Sequence, residues 1–249
     1  MTDHKTIVIT GASMGIGAAA AKLFAENQVK VYNLDMKAPA HSHPLIETIA
    51  CNTSKHSEVE AAFEQVMAKE QELNYLFVNA GVHVYATLED TAVEDIHRII
   101  DVNVKGYLFT LKFALPIMKK QKAGGNIVLT GSDTTFVGKP SLTVYGCTKG
   151  AIGQMTKSLA IDYAQYNIRI NCVCPGTIDT PLVRHSVEIY SQQTGAKQAD
   201  IIKDLEKAQP LHKLGTVEEV ARLVYFLCSD QTPFMTGSLV SIDGGYTAQ

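Results

Sequence analysis

Thr6-Ile7-Val8-Ile9-Thr10-Gly11-Ala12-Ser13-Met14-Gly15-Ile16-Gly17 runs from an apolar, β-branched segment through a glycine-spaced turn into an Ala-rich stretch, 18–26, of helical period. A strand that feeds a helix through such a turn is the opening of a βαβ unit. Glycines there permit a tight turn and a close approach of the backbone to a pyrophosphate. The helix start adds unpaired N–H groups and a positive dipole end for that anion. The segment therefore predicts a dinucleotide site around Gly11, Ser13, Met14, Gly15, Ile16 and Gly17, against the plainer reading of an ordinary turn.

Working outward, short Val/Ile-rich runs alternate with longer segments of helical period. Strands are predicted at 29–35 (VKVYNLD), 46–51, 75–79 (YLFVN), 126–131 (NIVLTG), 168–174 (IRINCVC) and 237–243 (GSLVSID). Helices are predicted at 57–69, 93–121, 144–163 and 217–227, while Pro39 and Pro44 break the connector after the second strand. The alternation predicts an α/β fold: one domain over 1–249, a Rossmann-like doubly wound parallel sheet with helices on both faces. The polar stretch 183–211 lacks a clear period and reads as a mobile flap over a site.

Composition narrows the function. A formal net charge of −3 with scattered Lys and Arg gives no footprint for nucleic acid or an anionic membrane surface. No apolar run approaches the roughly 20 residues that span a bilayer, and residues 1–5 leave no room for a signal peptide, so a cytoplasmic protein is expected. Five cysteines at irregular spacing make a poor disulfide framework. Cys172 and Cys174 would share one face of a strand and read as packing. His41 and His43 read as a solvated loop, and no metal site is expected.

Asp35 ends the second predicted strand, eighteen residues beyond Gly17 (35 − 17 = 18). That is where a carboxylate accepts hydrogen bonds from the adenosine ribose hydroxyls. A 2′-phosphate would meet its charge, with Met14 where an NADP enzyme might carry Arg and only Lys37 nearby, so NAD is the expected cofactor. Tyr145-Gly146-Cys147-Thr148-Lys149 places a phenol and an ammonium on one helix face. A neighbouring ammonium favours the phenolate and brings a weak acid toward working range. Ser132 precedes Tyr145 by thirteen residues (145 − 132 = 13), at the end of a predicted strand, the edge where open α/β sheets bind ligands.

With TGASMGIG at 10–17, NAG at 79–81, DVNVKG at 101–106, Ser132, YGCTK at 145–149 and PGTIDT at 175–180, the chain resembles the short-chain dehydrogenase/reductase family along its whole length. The resemblance implies Tyr145 as general acid/base, and Ser132 as the group that hydrogen-bonds the substrate oxygen. It implies that Lys149 lowers the Tyr145 pKa and binds the nicotinamide ribose, and that Asn103 holds a water relaying protons to Lys149. Asn79, Ala80 and Gly81 would line the adenosine side, Pro175 and Gly176 would open the nicotinamide segment, and Ile178 and Thr180 would touch the carboxamide. Where the family often has an Asp facing the adenine amino group, this chain has Asn52, whose amide oxygen would accept that bond instead. The family is usually tetrameric, which implies a homotetramer.

The expected reaction is hydride transfer between NAD(H) and a secondary alcohol or ketone. The segments 169–182 and 243–249 resemble NAD-dependent members acting on small hydroxy acids, dihydroanticapsin dehydrogenases among them. A small hydroxy or keto metabolite, acid-bearing or cyclic, is therefore the expected substrate. Alternatives are an NADPH-dependent 3-oxoacyl-type reductase, a sugar or polyol dehydrogenase, and a non-catalytic NAD-binding sensor. Asp133, His83, Tyr85, Val144, His185 and Tyr190 are candidates to face the substrate, and Arg184 or His185 to pair with a carboxylate.

Overall fold

The computed structural model describes residues 4–39 and 42–249. Seven parallel strands form one sheet in the order β3-β2-β1-β4-β5-β6-β7. These are β1 (Thr6–Thr10), β2 (Lys30–Asp35), β3 (Ile46–Ala50), β4 (Tyr75–Val78), β5 (Gly125–Thr130), β6 (Ile168–Pro175) and β7 (Leu239–Ile242). The order reverses between β1 and β4, the switch point beside which such sheets open a crevice at their carboxyl ends. Thr10 pairs with Leu34 on one side and Val78 on the other, so the glycine turn leaves from the middle of that edge.

Every residue of β1 is buried, as a central parallel strand requires. Alternation sends its side chains to two cores. Val8 joins Leu34, Leu76 and Ile127 beneath helices α2 (His56–Met67), α4 (Gly106–Lys120) and α5 (Thr143–Tyr163). Ile7 and Ile9 join Phe77, Val128 and Val173 beneath α1 (Gly15–Glu26) and α8 (Val217–Cys228). The fold expectation thus holds, with helices on both faces of the sheet.

Two elements differ from the sequence reading. The helix expected over 93–121 is α3 (Val93–Ile100), a π-helical turn Asp101–Lys105, and α4. The wide turn carries Asn103 fully inward, where its amide bonds the chain after β4, and periodicity does not register such an insertion. The stretch 183–211, in which no clear period was read, carries two helices, α6 (Pro181–Thr194) and α7 (Gln198–Lys207). Thr180 caps the first by accepting a bond from the Val183 N–H, Pro181 fits its first turn, and Gly195 at φ 75° closes it. α7 buries none of its residues fully; its short stripe of Ile201, Ile202 and Leu205 stays partly exposed.

Candidate active site

The glycine turn is held by polar side chains hidden inside the sheet. Gly11, at φ 72°, donates its N–H to the Leu34 carbonyl at 2.9 Å. A Cβ on Gly17 would lie 2.2 Å from the Gly11 oxygen, so that position admits only glycine. Asn33, fully buried on β2, accepts the Ala12 N–H at 2.9 Å and donates to Ser13 Oγ at 3.0 Å. The sequence reading missed Asn33, although a lone amide within an apolar strand was a usable signal. No side chain caps α1, since Met14 is the preceding residue. The first-turn N–H groups are thus left for an anion, and this donor set fits a pyrophosphate.

Asp35 sits at the carboxyl end of β2. One of its oxygens accepts the Ser13 N–H and the other the Lys37 N–H, each at 3.0 Å. On the far side of the turn, Thr10 Oγ1 accepts the N–H groups of Asn79 and Ala80, and Asn79 Nδ2 donates to the Gly11 carbonyl at 3.1 Å. Asn79, Ala80 and Gly81 are thereby locked against the glycine turn. Asn52 Oδ1 accepts both the backbone N–H and the hydroxyl of Ser54, at 3.1 and 2.7 Å, in a local turn before α2.

At the ends of β5 and β6 the predicted proton-handling residues converge. Ser132 opens a short 3₁₀ turn, Asp133–Thr135. Its Oγ accepts the Thr134 N–H at 3.2 Å and donates to Asp133 Oδ1 at 2.9 Å. Tyr145 and Lys149 lie one turn apart on α5, with the ammonium 5.5 Å from the phenol ring centre. Lys149 is almost fully buried and donates to the Thr130 carbonyl at 2.8 Å. Burial brings its pKa down to about 8, opposed by the thiols of Cys172 and Cys174.

The Tyr145 phenol is pushed well up from its ordinary value. Burial is the main cause, the Ser132 hydroxyl opposes it and the Asp133 carboxylate adds to it. Asn103 accepts the Val82 N–H and donates to the Val82 carbonyl and to Thr148 Oγ1. Its amide is engaged at both ends, so it ties the NAG turn to α5.

Pro175 ends β6, and Gly176 continues beside β7, donating to the Ile242 carbonyl at 3.1 Å. Ile178 is buried and bridges to Gly215, with Thr180 two residues on at the start of α6. All four stand at the sheet edge that carries the glycine turn.

The substrate-side candidates divide. His83 Nε2 lies 2.7 Å from Ser186 Oγ on α6, and its ring sits 5.9 Å from that of Tyr145. Tyr85 packs edge-on against Tyr190 at 5.8 Å, and Val144 is buried at the head of α5. Arg184 and His185 do not join them. Arg184 makes a two-pronged pair with Asp179 at 2.7 and 2.6 Å, and His185 lies 3.6 Å from Glu188. Both are about two-thirds exposed.

Cys172 and Cys174 do share a face, with their sulfurs 3.7 Å apart. Among the described residues no cluster of three His, Cys, Asp or Glu is placed to hold a metal ion; His41 lies outside them. No described helix is long and apolar enough to cross a membrane.

Residues 11–247 match the family model described as enoyl-(acyl carrier protein) reductase. An uncharacterized oxidoreductase of Thermotoga maritima is 36% identical, with 98% of each chain covered. The structure of a short chain dehydrogenase family protein from Francisella tularensis superposes with a TM-score of 0.93 at 36% identity, over 99% of this chain and 100% of that one. ElxO, solved with NADP bound, gives 0.89 at 30% identity over 99% and 100%. A 3-ketoacyl-(acyl-carrier-protein) reductase of Brucella melitensis, complexed with NADH, gives 0.87 at 28% identity over 98% of each.

Proposed function

The chain belongs to the short-chain dehydrogenase/reductase family of oxidoreductases, and from that premise we propose that it transfers a hydride between NAD(H) and a secondary alcohol or ketone. The observation that carries this reading is one shared edge. Ser132, Tyr145 and Lys149 gather at the same carboxyl ends of the strands as the glycine turn and Asp35. When bound, the nicotinamide supplies the hydride acceptor or donor.

The chain's residues do the rest. Gly11, Ser13, Met14, Gly15, Ile16 and Gly17 cradle the pyrophosphate with backbone N–H groups, and Asp35 accepts from the adenosine ribose. Asn79, Ala80 and Gly81 line the adenosine side; Pro175, Gly176, Ile178 and Thr180 line the nicotinamide side. In oxidation Tyr145 takes the hydroxyl proton, while Ser132 turns its hydroxyl from Asp133 to the substrate oxygen and steadies the developing charge there. Lys149 grips the nicotinamide ribose and brings a positive charge beside the phenol, which offsets the effect of burial. Asn103 acts through Val82 and Thr148 as a positioning residue.

NAD rather than NADP follows from Asp35, whose charge opposes a 2′-phosphate. The NADP-bound relative keeps an NADPH-dependent 3-oxoacyl-type reductase as the second reading. Since Arg184 and His185 are paired elsewhere, an uncharged, cyclic or polyhydroxylated substrate fits better than an acid-bearing one. We read the functional unit as a homotetramer working in the cytoplasm. Exposed Leu108 on α4 and Ile161 on α5 support the assembly, and light scattering at about four times the 27.0 kDa chain mass would test it.

The test is a panel of 3-hydroxybutyrate, cyclohexane-1,2-diol and sorbitol, followed by NADH absorbance with NAD or NADP. Oxidation of at least one with NAD preferred is expected. A preference of about tenfold or more for NADP, roughly 1.4 kcal/mol of discrimination, would transfer the conclusion to the second reading.

A further inference from the structure

Asp133 follows Ser132 directly and is 2% exposed. Oδ1 accepts the Ser132 hydroxyl at 2.9 Å, and Oδ2 pairs with Lys139 Nζ at 2.5 Å. Lys139 in turn lies 4.1 Å above the ring of Tyr246, near the end of the chain. A buried ion pair is a poor source of stability, because desolvating both charges offsets most of their attraction. Hydride transfer through Ser132, Tyr145 and Lys149 does not call for it either.

We propose that Asp133 is a positioning residue for the reaction: it holds the Ser132 hydroxyl until a substrate oxygen competes for its proton and sets the charge beside the Tyr145 oxygen, with Lys139 as its counter-charge. The proposal rests on the reading that Tyr145 moves the proton.

Several titratable groups surround that phenol. Lys149 lies on the same helix, His83 on the chain after β4, and Tyr107 on α4. Cys172 and Cys174 of β6 stand beyond Lys149, while Arg98 of α3 and His185 of α6 act on His83. Beside Ser132, the carboxylate favours the protonated phenol and the lysine favours the phenolate. Asp133 is among the groups that hold the Tyr145 phenol up. Removing one member of the pair must therefore move Tyr145 in the opposite direction from removing the other.

The experiment places 3,5-difluorotyrosine at position 145 of the full chain and follows its fluorine resonance with pH. Relative to the parent, Asp133→Asn should weaken proton affinity at position 145 about tenfold and Lys139→Met should strengthen it by a similar factor. The double variant should return close to the parent. Single variants that move the same way, or do not move, overturn the proposal, since loss of packing carries no sign. Should Asp133→Asn fail to fold, Lys139→Met and the double variant still decide, and a fall in proton affinity in Lys139→Met counts against the pair. The pH profile of kcat/KM for cyclohexane-1,2-diol with NAD gives the second readout. Opposite fluorine shifts without oxidation of any alcohol would remove the functional reading and leave the pair standing. Turnover with unmoved fluorine midpoints would do the reverse.

Discussion

At the ends of β1 and β2 the site is made of backbone: the N–H groups of the glycine turn, a helix start without a side-chain cap, and one carboxylate. At the ends of β5 and β6 it is made of side chains that depend on one another, with Ser132 bonded to Asp133, Asp133 to Lys139, and Lys149 to the Thr130 carbonyl. The first kind of site makes its contacts through backbone that buried Asn33, Thr10 and Asn79 hold in place. The second fixes its chemistry through distances between particular groups, and each can be tuned without changing the fold.

The largest expected effect lies in the backbone half. Gly17→Val must push a side chain into the Gly11 oxygen and Asn79 Nδ2, 2.2 and 2.7 Å from the added Cβ. NADH affinity in fluorescence titration should fall by at least about 100-fold, the scale of losing helix-start contacts to a pyrophosphate. Near-normal binding would break the comparison at its root.

Asp35→Ala is the intermediate case, a side chain within the backbone half. NAD affinity should fall by about 1.5–3 kcal/mol from lost charge-assisted bonds. The NAD/NADP ratio should fall as well, and an unchanged ratio would show that the carboxylate does not read the ribose.

Lys149 sharpens the contrast through pH. Its folded pKa of about 8 lies below the ordinary 10.5, so between those values the unfolded chain holds the extra proton. That lowered lysine makes stability rise with pH across the window, and the gain is absent once pH falls below about 8. Lys149→Met should flatten the slope in urea unfolding between about pH 8 and 10.5, as well as abolish turnover. A slope equal to that of the parent would mean the ammonium is not desolvated.

The smallest effect is expected at Arg184→Ala, an exposed pair with Asp179 that solvent screens. kcat and KM for the alcohol panel should stay within about twofold. A KM rise confined to 3-hydroxybutyrate would restore the carboxylate clamp.

The same division explains what the sequence made legible. Glycine spacing, the strand-end Asp35 and the alternating apolar runs are local, so residues 6–17, the seven strands and the faces of α1 and α5 were readable. The side-chain half was readable only as residue types. Nothing in YGCTK reveals that Lys149 aims at Thr130, and nothing near Arg184 reveals that Asp179 captures it. α6 carried its own signals, Thr180-Pro181 at the start and Gly195 at the end, but its weak apolar stripe hid them.

The most direct test of the central claim compares the parent chain with Tyr145→Phe, measuring NAD reduction on the alcohol panel alongside NADH binding. The account predicts a fall in kcat of roughly 10²–10⁴ with NADH affinity nearly unchanged, the usual worth of a positioned acid/base. Turnover equal to that of the parent would contradict it, because a phenol that can be removed without loss is not the group that moves the proton.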